Sequence, residues 1–507
     1  MRMMLAAVLI LLAVPASAEP PELLISALSK AVFDQRSADP GQPDVIDVRI
    51  SNFTGIKATN FTLRGTLPEG GVFVSGTATG GQCTVSPGQP SEILCTWPGL
   101  EVERGLVVAA QLVYLAPDRN DGGTYPVRLE ATATANGETF SDTEAIDVPL
   151  RKRFVVTHSG DAGPGSLRQA MAEVNAACAA APCLIAFTTA EVIRPLTPLP
   201  IVNGYLKIDG GPSRIELDGS LVSAGHAITS HRPCELRVLN MRIHHFPGHA
   251  IEAAGDGTVC EDPFNFSTGV RVQNSELWQN LRGVVAKETA VHIANNVIRD
   301  HRRAGIFLEA VWRTVVDGNT INGNGASGVF IDSRAGRYPG LITDARIMNN
   351  VIRNNREWGV CRTASGRVYV SRNEIADNYA HAIDIGLDLD TPNRPDAKSG
   401  VPNKPILHSA HFDPSTGNTI VRGHLDPFSG WLEVYASRGV SGAGHPQAER
   451  FIATTAFNVS AEGPFELQIP GDFRGQWITA TASRDYVIDW GLSYFDTSEI
   501  SRAVPVH

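Results

Sequence analysis

Six times between about residue 240 and residue 385 the chain returns to an imperfect N-x-[IL]-x-x-N-x-x-x-G-[IV] signature. The segments read NMRIHHFPGHAI, NSELWQNLRGVV, NNVIRDHRRAGI, GNTINGNGASGV, NNVIRNNREWGV and SRNEIADNYAHAI. One apolar position recurs at Ile243, Leu277, Ile298, Ile321, Ile352 and Ile375, and a second at Ile251, Val284, Ile306, Val329, Val360 and Ile383. Three of the five intervals in each series are 21 to 23 residues, and the other two are about ten residues longer. A fixed period with local insertions specifies stacked supersecondary units whose insertions loop out.

The units carry Gly, Asn and β-branched residues where a helical repeat would carry strong helix formers. At about 3.3 Å per extended residue, 22 residues make a circuit of roughly 70 Å, which suits a three-sided coil of short strands. A leucine-rich repeat would require L-x-x-L-x-L-x-x-N, which is absent. Two asparagine columns accompany the apolar ones. Asn296, Asn319, Asn350 and Asn373 fall two residues before the first apolar position, and Asn280, Asn324, Asn355 and Asn378 fall three after it. Asparagine tolerates left-handed backbone at a sharp corner and can hydrogen-bond to the next rung, so both columns are expected to stack as structural ladders. On these features the segment resembles the right-handed parallel β-helix repeats of pectate-lyase-like and periplasmic β-helix proteins.

The flanks read differently. In Val45-Ile46-Asp47-Val48-Arg49-Ile50-Ser51, apolar and polar residues alternate as in a half-buried strand. Turn signals at 68–71 and 120–123 separate further strands, and seven or so in 130 residues predict a β-sandwich. The stretch ISNFTGIKATNFTLRGTLPEGGVFVSG resembles the immunoglobulin-like modules of bacterial surface proteins. Ser166-Leu167-Arg168-Gln169 reads as a capping box, followed by helical spacing at Leu167, Ala170, Met171, Val174 and Ala177. An amphipathic helix there would plug the open end of a coil. The run VTHSGDAGPGSLRQAMAEVNA resembles the opening of large bacterial surface β-helix proteins, and IDIGLDLDTPNRPDAKSGVPNKPILHSA resembles their exit connector. Alternating runs at 431–436 and 477–482 predict a terminal β-sandwich. The expected order is therefore a leader over 1–18, a sandwich over 19–150, a capping helix over 151–183, a coil over 184–404 and a second sandwich over 405–507. The fold class is all-β.

Arg2, the apolar run Leu5–Val14 and Ala16-Ser17-Ala18 read as a secretory signal cleaved after Ala18, for a secreted or periplasmic protein. The apolar run is too short to span a bilayer, so no membrane insertion is expected. A net charge of −10 spread along the chain argues against nucleic acid as partner. Seven cysteines in an exported chain point to disulfides. Neighbouring pairs Cys83/Cys95, Cys178/Cys183 and Cys234/Cys260 are the simplest linkage, with Cys361 left over, although spacing does not fix connectivity. No Cys-x-x-Cys or histidine cluster with zinc spacing is present, so zinc is not expected.

If the second apolar position points inward, residues one and three later point outward. One later gives Val285, Phe307, Phe330, Cys361 and Asp384; three later gives Lys287, Glu309, Asp332 and Thr363. Glu309 and Asp332 on neighbouring rungs are the paired carboxylates that glycoside hydrolysis uses, and they could equally hold Ca²⁺ for a β-elimination. Phe307, Phe330 and Lys287 beside them would contact a sugar, and Arg303 in the preceding turn would serve a lyase as base. The plainer account is a solvated face with a cross-rung Lys287–Glu309 ion pair. His244, His245 and His249 crowd another turn with no acidic partner evident in the sequence. Asp384, Asp388 and Asp390 alternate like half of a calcium loop, without its closing glutamate. No organic cofactor is expected. The motifs of alginate epimerases and polygalacturonases are missing, so the resemblance favours a non-catalytic protein engaging a polysaccharide or cell-surface glycan, with a polysaccharide lyase or glycoside hydrolase as the alternative.

Overall fold

The computed structural model describes residues 22–29, 37–178, 181–255, 269–332, 344–363, 367–387, 393, 401–426, 429–458, 463–488 and 492–507. The expected leader, the Cys234–Cys260 pairing and the insertion through Gly336–Gly340 lie outside them. The chain divides into two compact units between Arg151 and Lys152.

The first unit is an antiparallel β-sandwich. Nine described strands form sheets of four and five, two more strands than the turn signals alone indicate. Ile46, Val48 and Ile50 face inward, as their alternation requires. Cys83 and Cys95 are bonded across two paired strands.

The second unit is built around a right-handed parallel β-helix with three faces. The first face stacks Ile251–Ala254, Val284–Lys287, Ile306–Glu309, Val329–Asp332, Val360–Arg362 and Ile383–Ile385. The second stacks Gly269–Gln273, Ala290–Ala294, Trp312–Asp317, Asp344–Met348 and Arg367–Ser371. The third stacks Ile215–Asp218, Met241–His244, Glu276–Trp278, Val297–Arg299, Thr320–Asn322, Val351–Arg353 and Glu374–Ala376. Both apolar series point into a common core, the first from the third face and the second from the first face. The second face adds Val272, Ile293, Val316, Ile347 and Val370 to that core, a contribution the repeat signature does not mark.

Two ladders of buried side chains run beside the core. Each of Asn296, Asn319 and Asn350 donates from Nδ2 to Oδ1 of the next asparagine at 2.9 Å. The second ladder runs Asn280, His301, Asn324, Asn355, Asn378. The ladder residues do not themselves take the left-handed corner, contrary to expectation. That conformation belongs to the residue before each, as at Asn295 (φ 57°), Asp300 (φ 57°), Gly323 (φ 68°) and Asn354 (φ 55°). The division of labour has a plain cause, since one residue turns the chain and the next is then aimed inward to bond along the axis. The signature's glycine answers to the same crowding. A Cβ on Gly328 would lie 2.5 Å from Ile352 Cγ2 and 3.0 Å from Asn355 Nδ2.

Parallel pairing begins at Lys152–Val156 and continues through Cys183–Phe187, so the expected boundary at 184 falls inside a strand of the sheet. The helix Leu167–Ala177 lies between these two strands in sequence and buries Leu167, Ala170, Met171 and Val174 in the coil core. Ser166 Oγ accepts from Gln169 N–H, but the Gln169 side chain donates to Glu173, so only half of the capping box forms. Cys178 and Cys183 are bonded. After the coil, two antiparallel sheets built from strands between Ile406 and Pro505 form the second sandwich.

Candidate functional site

The register of the first face sorts its side chains. Val284, Ala286, Ile306, Leu308, Val329 and Ile331 are buried in the core. Glu252, Val285, Phe307, Phe330, Cys361 and Asp384 share one outward column, and Ala254, Lys287, Glu309 and Asp332 share the other. Outward does not always mean open, because Val285, Cys361, Thr363 and Asp384 are buried as well. What is left is a half-buried strip that starts at Glu252 and Ala254 and continues over the middle rungs through Lys287, Phe307, Glu309, Phe330 and Asp332.

Within that strip Glu309 and Asp332 are register partners on adjacent rungs. Lys287 Nζ lies 3.7 Å from Glu309 Oε2, the cross-rung ion pair of the plainer account, and Thr363 Oγ1 lies 3.4 Å from Asp332 Oδ1. The Phe307 and Phe330 rings stack at 5.5 Å with 6° between planes. The Arg282 guanidinium sits 4.7 Å from the Phe307 centroid. Arg282 precedes the rung on one side of Phe307 and Phe330 occupies the rung on the other, so the Phe307 ring is sandwiched. It offers a ligand its apolar edge rather than a face. Burial, then the neighbouring Arg303, depress the Arg282 pKa, while Glu252 and Glu309 oppose them. Arg303 is exposed, in the turn before Ile306.

Sequence reasoning missed several residues here. Glu252 obeys the one-later rule that gives Phe307, one rung before the series was begun. It accepts from His226 Nε2 at 2.9 Å, and that hydrogen bond holds its pKa below the ordinary carboxylate value. His249 stacks on His226 at 4.5 Å, and burial together with the charges of His226 and Arg282 lowers its pKa to about 4. The missing acidic partners for the crowded histidines are therefore present, supplied by other rung positions: Glu252 for His249, and Glu216 and Asp218 for His244 and His245. Glu216 and Asp218 precede the first recognisable repeat, where no signature marks their register. His301, grouped in sequence with Arg302 and Arg303, is a buried ladder residue whose pKa burial lowers to about 3.

Both long insertions leave the coil at the corner between its first and second faces, one after Ala254 and one after Asp332, at the edge that carries Lys287 and Glu309. Of the calcium candidates, Asp384 is buried and accepts from Leu387 N–H at 3.0 Å. Asp388 and Asp390 lie outside the described residues.

A family model described as a right handed beta helix region matches residues 226–389. No curated protein matches the chain. Among solved structures, full-length tailspike protein 2 of the Escherichia coli O157:H7 bacteriophage CAB120 is 10% identical, over 85% of this chain and 83% of its own, with a TM-score of 0.23. A cohesin module from a Clostridium perfringens family 33 glycoside hydrolase is 13% identical, over 26% of this chain and 96% of its own, with a TM-score of 0.21. The major pilin SpaD of Corynebacterium diphtheriae is 11% identical, over 28% of this chain and 39% of its own, at 0.23. Scores at that level leave the fold resting on the strand pairing and the matched repeat region.

Proposed function

We propose that this is an exported, non-catalytic protein that engages a polysaccharide or cell-surface glycan through the first face of its β-helix. The observation that carries the reading is the strip of the middle rungs. There the stacked Phe307 and Phe330 present apolar edge between Lys287, Glu309, Asp332 and the guanidinium of Arg282. A sugar presents apolar C–H patches ringed by hydroxyls, and a rigid row of rings flanked by charged donors and acceptors suits both. The two disulfides fit an oxidising compartment, and the immunoglobulin-like reading of the first sandwich would supply a spacer or second binding module. Glu309 already pairs with Lys287, and Asp332 lies beside Thr363, as the carboxylates of a binding surface do.

One observation favours the second reading, a lyase or glycoside hydrolase. Register partners on adjacent rungs lie about 4.8 Å apart, near the roughly 5 Å separation of retaining carboxylates. Retention on a panel of plant, algal and bacterial polysaccharides, read beside release of reducing ends in millimolar Ca²⁺, separates the two. Binding without turnover is expected, with Phe330→Ala weakening it about tenfold, or about 1.4 kcal/mol. Turnover abolished by Asp332→Asn would make the protein an enzyme. A chain that neither binds nor cleaves any member of the panel would end both readings of this face.

A further inference from the structure

We infer that Asp218, His244 and His245 form a binding site for a divalent cation of the zinc class, on the corner between the third and first faces of the coil. Asp218 and His244 are register partners on adjacent rungs, and His245 follows at the corner. The donor atoms converge. His244 Nδ1 is 2.6 Å from His245 Nδ1 and 3.6 Å from Asp218 Oδ1, and His245 Nδ1 is 3.8 Å from the same oxygen. A tetrahedral ion with bonds of about 2.0–2.1 Å has ligand–ligand edges of about 3.3–3.4 Å. Two of the observed edges lie within about half an ångström of that, and the short one opens by a small rotation of the exposed His245 ring.

The surroundings fix Asp218 and His244 in binding form, and His245, whose Nδ1 donates to His244 Nδ1, joins them once its ring proton moves to Nε2. His244 Nε2 lies 3.1 Å from Glu216 Oε1, so that nitrogen carries the proton and Nδ1 presents its lone pair to the site. A carboxylate behind a histidine is the usual outer partner of a metal ligand. Asp218 is oriented the same way, accepting from Ser220 N–H at 3.0 Å and from Arg194 Nε at 3.0 Å. Trp278 stacks on His244 at 4.1 Å and walls the site on the next rung. His244 and Asp218 are buried while His245 is open to solvent, which provides an entry path and a free fourth position.

The neighbouring trio of His226, His249 and Glu252 makes a useful contrast. There His226 Nδ1 accepts from the backbone N–H of His249 at 2.7 Å while Nε2 faces Glu252, whereas His244 Nδ1 faces a fellow donor atom, His245 Nδ1. Two imidazoles and one carboxylate suit zinc and its neighbours in the first transition row. Calcium wants six to eight oxygens. The sequence conceals the set because one ligand comes from the rung below, 26 residues earlier than His244.

The test uses the untagged mature chain, stripped with chelator and titrated with Zn²⁺ by calorimetry, with folding checked by circular dichroism. One Zn²⁺ per chain is expected, insensitive to millimolar Ca²⁺. His245→Ala and Asp218→Asn should each weaken it at least about tenfold, and Glu216→Gln by about 10–100-fold. His231→Ala, an exposed histidine elsewhere, should leave it unchanged. His245 is exposed but has a φ of 59°, so His245→Asn, which suits that backbone and removes the imidazole, is the second variant and should weaken uptake as His245→Ala does. Absence of stoichiometric uptake, or uptake unaffected by His245→Ala in a folded chain, overturns the proposal and leaves an ordinary hydrogen bond between the two rings.

Discussion

His301 occupies an interior place in the second ladder where its neighbours above and below are asparagines. Its Nδ1 accepts from Asn280 N–H at 3.2 Å, so the imidazole does the work of an amide oxygen in one direction. The substitution carries a pH signature. Burial lowers the His301 pKa to about 3, against about 6.5 for an unfolded histidine. The folded chain keeps the ring neutral while the unfolded chain protonates it, so stability is full above about pH 6.5 and falls as pH drops toward about 3. His249, lowered to about 4, adds to the same loss over the upper part of that window. His301→Asn should complete the amide ladder and flatten the acid dependence. Thermal midpoints of the two proteins near neutrality and near about pH 4.5 would show the variant losing less. Parallel pH slopes would mean that the ring is already charged or solvated in the folded chain.

At the scale of the element, the repeat is a set of close approaches that apolar periodicity alone does not require. Gly283, Gly305, Gly328 and Gly359 each stand where a Cβ would meet an apolar side chain, a ladder residue and backbone of the next rung. None of the four has a positive φ, so space and not backbone freedom sets their identity. Gly328→Ala should therefore destabilise the coil by about 1–3 kcal/mol through overpacking. Gly439→Ala, with open space around its Cβ, should fall within about 0.5 kcal/mol of the parent. Denaturant midpoints check the pair, and equal midpoints would show that the rungs yield freely. The inward face, the ladders and the Lys287–Glu309 pair were all legible from spacing, because a period of two along each strand and about 22 between rungs fixes which side chains become neighbours. His226, Arg282 and Asp218 were not, because they lie in corners or on a rung without the signature.

At the scale of the whole molecule, the two units have separate hydrophobic cores, and the C-terminal sandwich ends the coil as the N-terminal helix begins it. All three faces of the last rung are met. Val368 and Val370 N–H donate to Asp496 and Thr497, Ile385 N–H donates to Glu499, and Ile375 pairs with Ala448 in an antiparallel bridge. Strand edges that would template aggregation are satisfied by side chains and backbone of the following domain. Arg362 stands at the register position of Ile331, inside the coil, and pairs with Asp496 at 3.2 Å with both side chains buried. Arg362→Met should cost about 3–5 kcal/mol by leaving a buried carboxylate without its partner. A thermal midpoint unchanged from the parent would show that Asp496 is neutral in the fold. Burial does push its pKa above the ordinary carboxylate value, so the penalty should shrink as pH falls and the carboxyl protonates.

By itself the sequence determined the parallel coil, its two apolar columns, its amide ladders and the flanking sandwiches. Each follows from local alternation or from a repeat period, and both are properties of the chain read in order. The tertiary structure decided which outward side chains stay open, which domain closes the coil, and where histidines meet carboxylates. Those depend on residues that are distant in the chain and adjacent only through rung stacking or domain docking, and no spacing rule along one strand reaches them.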